Sequence, residues 1–371
     1  MADRVENTIS GGLFFAAVVQ GRDITVTLPP RITPALSGLP PASTAFVGRD
    51  QEVAALTEVL EPGRTARVAA VTGMAGVGKT ELAAQVTHLA VSRGWFPGGV
   101  FFVDLGGQRS GPAGHDAAHR VTGAFLRAAG VPDRHVPAEG HERVRLYRSV
   151  LAAYAADGRR VLLVIDDAGE GEVARSLLPS DDDTAVLVTA RNTVADLDAV
   201  LVRLGPLDRW RAVDLLHRGL TALDPDDTRI ATDPAAAAVV ADLCDGLPLA
   251  LRIVVALLAE NPARTPAALA AELADPATRL HDLACGDLSV SAALDRSCAD
   301  LDPVQLRLYR VLPGTPEVTA AEAAARLGLP EPTARRALAA LARACLIEPV
   351  ADDGDRWRVP ELVRLHAGAP P

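Results

Sequence analysis

VTGMAGVGKTEL, residues 71–82, decides the fold, and it contains the only lysine in the chain. The sequence has 37 basic residues, and every other one is arginine. The stretch matches the phosphate-loop pattern G-x-x-x-x-G-K-[ST] at Gly73, Gly78, Lys79 and Thr80, with Met74, Ala75, Gly76 and Val77 between the glycines. It joins the apolar run RVAAVTG to the helix-spaced KTELAAQVTHLAVSRG, which is the strand-loop-helix context such a cradle requires. Glycines let the backbone wrap so that its N–H groups converge on phosphate oxygens. The first helical turn, through Glu81, adds free N–H groups and the positive end of the helix dipole. The Thr80 hydroxyl suits Mg²⁺, and Lys79 reaches the β and γ phosphates. An ammonium is a compact charge that enters a closed backbone loop, whereas a guanidinium is a wide planar fork. That difference explains one lysine among so many arginines.

Working outward, strand and helix patterns alternate. GGVFFVDL, RRVLLVIDD, TAVLVTAR and AVLVRLGPL read as further strands, and residues 115–130 and 141–156 as helices. Apolar strands alternating with helices predict a parallel sheet covered on both faces. After about residue 207 only helices are predicted. From 300 on, three helices and a hairpin formed by LIEPV and RWRVP across ADDGD give a winged-helix pattern. The expected fold class is α/β: a P-loop NTPase parallel sheet flanked by helices, then an all-α helical part and a winged helix. The expected division is a β-prone tail at 1–28, a Pro-rich linker at 29–45, an NTPase domain at 46–206, a helical subdomain at 207–298 and a winged helix at 299–371.

A magnesium site is expected beside the loop. VLLVIDDA ends a strand in Asp166 and Asp167, where open α/β sheets bind ligands. Asp166 would hold Mg²⁺, and Asp167 would sit near the attacking water. VLVTAR places Thr189 and Arg191 at the next strand end, where Arg191 would sense the γ-phosphate.

Bulk properties narrow the function classes. The formal charge is -10, hydrophobic residues make up 49%, and the four cysteines are scattered without a CxxC pair. A zinc site or disulfide framework is disfavoured, and a reducing cytoplasm fits. No apolar run reaches the roughly 18 residues of a membrane span. GGLFFAAVV is not followed by a small-residue cleavage site, and Asp3 and Glu6 offset Arg4, which argues against a signal peptide.

In order, FVGRD, GMAGVGKT, LLVIDD, LVTAR, LGPLDRWRAVDLL, CDGLPLAL and LDPVQLRLYRVL followed by a winged helix resemble the NB-ARC type of STAND ATPases over about residues 46–367. The resemblance implies ATP and ADP as ligands, with Mg²⁺. It also implies that Val47, Gly48 and Arg49 border the adenine and that Gly246 and Pro248 close over it. Read locally, the same Gly246 and Pro248 are a helix C-cap and a helix start. The family's phosphate-contacting Met-His-Asp triplet corresponds here to Val359, Pro360 and Glu361, so the histidine lock is in doubt, and His366 falls two turns too late to replace it. Family members continue into a repeat sensor, whereas this sequence stops at Pro371. The tail GLFFAAVVQGRDI loosely resembles amyloid-signalling segments, with a core at Val19, Gln20 and Gly21; a packed hairpin or disorder is the alternative.

The main expectation is therefore a nucleotide-operated switch with slow hydrolysis. ATP would drive self-oligomerisation, and the tail would engage an effector protein. A DNA-binding transcriptional regulator is the alternative, and a metabolic phosphotransferase is disfavoured because no polar acceptor cluster follows the sheet. Residues 301–350 hold six arginines against five acids. That small surplus argues against direct DNA binding, although Arg335, Arg336 and Arg343 fall on the recognition helix.

Overall fold

Strands with apolar residues at both odd and even positions need cover on both sides, and the sheet supplies it. The computed structural model describes residues 38–106, 112–169, 171–194, 197–312, 314, 316–350 and 354–368. The tail at 1–28 and the linker up to residue 37 lie outside the described residues. Helix α1 (Asp50–Leu60) leads into strand β1 (Val68–Gly73), then α2 (Lys79–Ser92), β2 (Gly99–Asp104), α3 (Pro112–Ala128), α4 (Gly140–Ala156), β3 (Val161–Ala168), α5 (Gly171–Leu177), β4 (Ala185–Ala190) and β5 (Val200–Leu204). The strands form one parallel sheet in the order β2-β3-β4-β1-β5.

Successive residues of a strand point to opposite faces, and two cores follow from this. Val71, Leu162, Val164 and Leu187 join the core on the α1 and α2 side. Ala70, Leu163, Ile165, Val186 and Val188 join the core under α3, α4 and α5. There Phe125 stands edge-on to Phe101 and Tyr147, with centroids 5.1 and 4.9 Å apart. Each buried Leu, Ile or Val contributes about 1.5–3 kcal/mol. In this geometry the carboxyl ends of β1, β3 and β4 open onto one edge, carrying the phosphate loop, Asp166 and Thr189.

The helical part follows: α6 (Arg209–Leu223), α7 (Arg229–Thr232), α8 (Pro234–Leu243), α9 (Pro248–Glu260), α10 (Pro266–Leu273), α11 (Arg279–Asp282), the short antiparallel pair β6 (Ala284–Cys285) and β7 (Leu288–Ser289), and α12 (Val290–Cys298). Helix starts are chemically marked. Asp208, Asp233 and Thr265 cap α6, α8 and α10 through their side chains, and proline opens α8, α9 and α10. Such a cap is worth about 1 kcal/mol.

The chain ends in α13 (Pro303–Arg310), β8 (Glu317–Thr319), α14 (Ala320–Leu327), α15 (Glu331–Arg343), β9 (Glu348–Pro349), β10 (Arg356–Arg358) and α16 (Glu361–Gly368). Reciprocal capping boxes start α13 (Asp302 with Gln305) and α14 (Thr319 with Glu322). The expected hairpin is present as β9 and β10, and β8 adds a third strand on the far side of β10. This is a winged helix, with α15 in the recognition position, so the fold class expected from the sequence is the one observed. Among the described residues, no helix is long and apolar enough to cross a membrane.

Candidate functional site

A cleft of ≈ 750 Å³ lies between the sheet edge and the helical part. Residues 75–81 of the phosphate loop form its floor. Gly76 and Gly78 have φ of 80° and 97°, a region that L side chains avoid. A Cβ on Gly76 would come within 2.7 Å of the Leu249 Cβ, whereas one on Gly78 would meet nothing within 4 Å. Gly76 thus admits the helical part, and Gly78 fronts open space at the N-terminus of α2, where a phosphate group fits. The Lys79 Nζ donates to the carbonyls of Gly73 at 2.8 Å and Met74 at 3.0 Å. The residue is 8% exposed. Burial lowers its pKa from 10.5 to about 8, against the opposing pull of Asp167 and Asp166.

Asp166 is 5% exposed. It accepts from the Thr80 hydroxyl at 3.0 and 2.9 Å and from the Thr189 hydroxyl at 2.5 Å. Burial raises its pKa, the two hydroxyls oppose the shift, and Asp104 and Asp167 reinforce it. Hydroxyl and carboxylate oxygens gathered next to a phosphate cradle form the hard donor set that Mg²⁺ takes. Asp167 has a left-handed backbone, φ 48°. Its carboxylate receives both arms of Arg191, at 2.9 and 3.2 Å, and its N–H donates to Thr189 Oγ1 at 3.0 Å. Thr189 therefore orders both acids. Asp104, beside Asp166 in the strand register, also lines the cleft. It escaped the sequence reading, although VFFVD ends in an acid just as VLLVID does.

The residues expected around adenine divide. Val47, Arg49 and Pro248 line the cleft; Gly48 and Gly246 do not. The Arg49 guanidinium donates to Gly205 O at 2.7 Å and Val77 O at 3.4 Å, so it braces the phosphate loop against the end of β5. Gly48, at φ 69°, lies where a Cβ would come within 2.4 Å of Arg211 Cδ. Gly246, at φ 61°, presses on Leu207, where a Cβ would fall 2.2 Å from its carbonyl oxygen. Next to Pro248, the Leu249 N–H donates to Gly76 O at 3.0 Å and ties α9 to the phosphate loop. Gly73 and Met74 lie outside the cleft lining and serve as acceptors for Lys79.

The winged helix meets the other parts at positions the sequence did not disclose. Glu361 donates its N–H to Asp245 at 2.9 Å, and its carboxylate takes a 2.5 Å bond from Arg279. Arg279 is 3% exposed and also donates to Leu273 O and Ala274 O. At the Val359-Pro360-Glu361 segment, then, the contact runs to the helical part. His366 bonds Tyr309 at 2.8 Å and Asp295 at 3.1 Å, outside the cleft. At the far end of α15, Arg343 O accepts from Thr193 N–H at 3.1 Å. The Cys345 thiol, on a residue with φ 55°, lies beside Lys79 with the Gly73 N–H directed at it. A cysteine closing a helix carries no pattern from which that contact could be read.

Comparison with known proteins adds two matches and a correction. Residues 45–188 match the AAA ATPase domain family, and residues 301–350 match the Helix-turn-helix domain family. The chain is 39% identical over 339 residues to Regulatory protein AfsR of Streptomyces coelicolor, covering 89% of this chain and 33% of that protein. It is 39% identical over 283 residues to Regulatory protein AfsR of Streptomyces griseus, covering 75% of this chain and 27% of that one. The chain thus spans a third or less of the length of these curated relatives. Among solved structures, a STAND protein with a tetratricopeptide repeat sensor from Pyrococcus horikoshii aligns with a TM-score of 0.38 at 17% identity, over 88% of this chain and 43% of that one. The match at residues 45–188 agrees with the parallel sheet and phosphate loop described above. The helix-turn-helix match and the two regulatory relatives go against the expectation that direct DNA binding is unlikely. A summed charge was the wrong measure, because contact depends on which arginines a helix exposes, and α15 exposes Arg335, Arg336 and Arg343.

Proposed function

We propose that the chain is a nucleotide-controlled regulator of the NB-ARC-like STAND kind, in which ATP or ADP in the cleft governs a DNA-binding winged helix. The observation that carries this reading is the hydrogen bond from Thr193, just beyond Arg191 and the β4 strand end, to Arg343 at the end of the recognition helix. One short segment of chain thereby joins the phosphate site to the element placed to read a DNA groove. On the division proposed from the sequence, the NTPase domain at 46–206, the helical subdomain at 207–298 and the winged helix at 299–371 are the three bodies whose arrangement responds.

The loop N–H groups and Lys79 bind the phosphates. Thr80 and Asp166 would hold Mg²⁺, which when bound supplies charge neutralisation at the phosphate chain. Asp167, held by Arg191 and Thr189, would accept a proton from an attacking water once its ion pair with Arg191 loosens. Arg191 is engaged with Asp167, so its approach to a γ-phosphate requires that pair to loosen, which is consistent with slow hydrolysis acting as a reset. Val47 and the apolar face of α6 at Leu215 and Leu223 offer the base an apolar slot.

The test is a salt-titrated gel shift on duplexes selected from a random-sequence pool. The protein is assayed with a non-hydrolysable ATP analogue, with ADP and without nucleotide, as wild type and as Lys79→Ala. DNA affinity that depends on the nucleotide in the wild type alone supports the reading. Absence of binding in every state, or binding indifferent to nucleotide, refutes it.

A further inference from the structure

Strand β2 is an open edge of the sheet: among the described residues it pairs only with β3. Along a strand, the N–H and C=O of one residue point to one neighbour and those of the next residue point the other way. Leu105 donates its N–H to Asp166 O at 2.9 Å. Phe101 and Val103 therefore also face β3, and Val100, Phe102 and Asp104 turn their peptide groups outward. Such a row is a template for a further strand. From Gly99 to Val103 it carries neither a charge nor a proline to blunt it. Phe101, Phe102 and Val103 are only half-buried. Phe102 packs on the α2-side core, and Phe101 and Val103 on the other, so both cores are left partly open at this edge.

The chain ahead of α1 leads to this edge. Residues 40–43 are strapped along α2. Ser43 donates its N–H to Glu81 at 2.8 Å, its carbonyl accepts from the Gln85 amide at 2.8 Å, and His88 Nε2 lies 2.9 Å from Pro40 O. The strap runs from the cleft, which Ser43 lines, toward the sheet edge. There a Cβ added to Gly38 would lie 3.6 Å from Phe102 O, one of the outward carbonyls. Residues 1–37 are thus joined to the fold at the middle of the unpaired row. Upstream of Gly38, the nearest stretch with strand chemistry is Ile24-Thr25-Val26-Thr27-Leu28. Its first four residues are β-branched, and apolar residues alternate with threonines. Residues 29–37, with prolines at 29, 30 and 34, make a poor strand themselves. Extended, they span roughly 28 Å, enough to double back over a five-residue strand of about 17 Å.

We infer that the outer edge of β2 is a docking surface for residues 24–28 of the same chain, which add to the sheet as a further strand. Main-chain bonds to Val100, Phe102 and Asp104 hold it. Ile24, Val26 and Leu28 share one face of that strand and extend the core over a half-buried side of β2, while Thr25 and Thr27 take the other face. A strand held in this way is withheld from pairing with other copies of the chain. This reading stands whether or not the cleft takes a nucleotide.

The test is residue-resolved amide hydrogen exchange on the full chain, as wild type, as the double variant Thr25→Pro with Val26→Pro, and as Thr33→Pro. Neighbouring strand residues face opposite edges, so the paired prolines remove an N–H directed at β2 in either register. The Thr33→Pro change touches the linker alone. The Val100 and Phe102 amides should be protected in the wild type and in Thr33→Pro, and should exchange at least about tenfold faster in the double variant. Phe101 and Val103, bonded to β3, should not change, which separates loss of the docked strand from loss of the sheet. Protection should also be independent of protein concentration. Free exchange at Phe102 in the wild type, or protection that the paired prolines leave unchanged, overturns the docking. Protection that grows with concentration places the strand on a second copy and overturns the same-chain assignment.

Discussion

Raising the pH should empty the cradle of its charge before the protein unfolds. Lys79 is brought down to about 8 by burial. At pH 7 it is therefore roughly nine-tenths cationic, and at pH 9.5 only about 3% cationic. A phosphate chain bound against the ammonium raises its pKa again, so binding takes up a proton above pH 8. Affinity should then fall toward tenfold per pH unit, about 1.4 kcal/mol each, and by roughly 15-fold between pH 8 and 9.5. Stability without nucleotide moves the other way. The unfolded chain keeps this proton to the ordinary 10.5 and the folded chain only to about 8. Between those values the unfolded state binds more protons, so the Lys79 contribution to stability grows as pH rises through the window and is lost as pH falls through 8. Calorimetry of ATP binding at pH 7, 8, 9 and 9.5, in two buffers of different ionisation enthalpy, measures affinity and proton uptake together. Lys79→Met should bind weakly and without this slope. A flat wild-type profile, or the same slope in the methionine variant, would refute the reasoning.

Three further outcomes follow from the site geometry. Gly78→Ala should fold at a cost of about 1 kcal/mol for its left-handed backbone and lose phosphate binding, whereas Gly76→Ala adds the 2.7 Å clash with Leu249 and should lower the melting temperature further; equal melting temperatures in the pair would count against the assigned roles. Asp166→Asn removes a buried charge while leaving an acceptor for the two threonines, so the apo protein should melt no lower than the wild type while Mg²⁺ ceases to strengthen ATP binding; a retained Mg²⁺ effect in the titration would exclude Asp166 as the ligand. Arg279→Met strips Glu361, Leu273 O and Ala274 O of their common donor and should cost about 3 kcal/mol in urea unfolding. Arg279 lies outside the cleft, so nucleotide affinity of the folded variant should not change.

The phosphate loop, the acidic strand end and the parallel sheet were legible because each has a local signature: fixed glycine spacing, an apolar run closing in acids, and alternation of strand and helix. The order β2-β3-β4-β1-β5 was not, since it depends on how crossovers pack and no single segment records it. Strand β8 is only three residues long, too short for a period of two to show. Asp245 and Arg279 act across more than eighty residues of sequence on Glu361, and a local pattern carries no information at that range. The tail singled out at Val19, Gln20 and Gly21 falls outside the described residues.

The tie between Leu249 and Gly76 joins main chain to main chain. Any amino acid except proline at position 249 offers the same N–H, so random side-chain replacement leaves this seam intact, and an alanine scan would be blind to it. The seam is also portable. A helical segment transplanted from a distant homologue would find the same carbonyl waiting, which makes residues 246–249 a natural crossover point for building hybrid proteins.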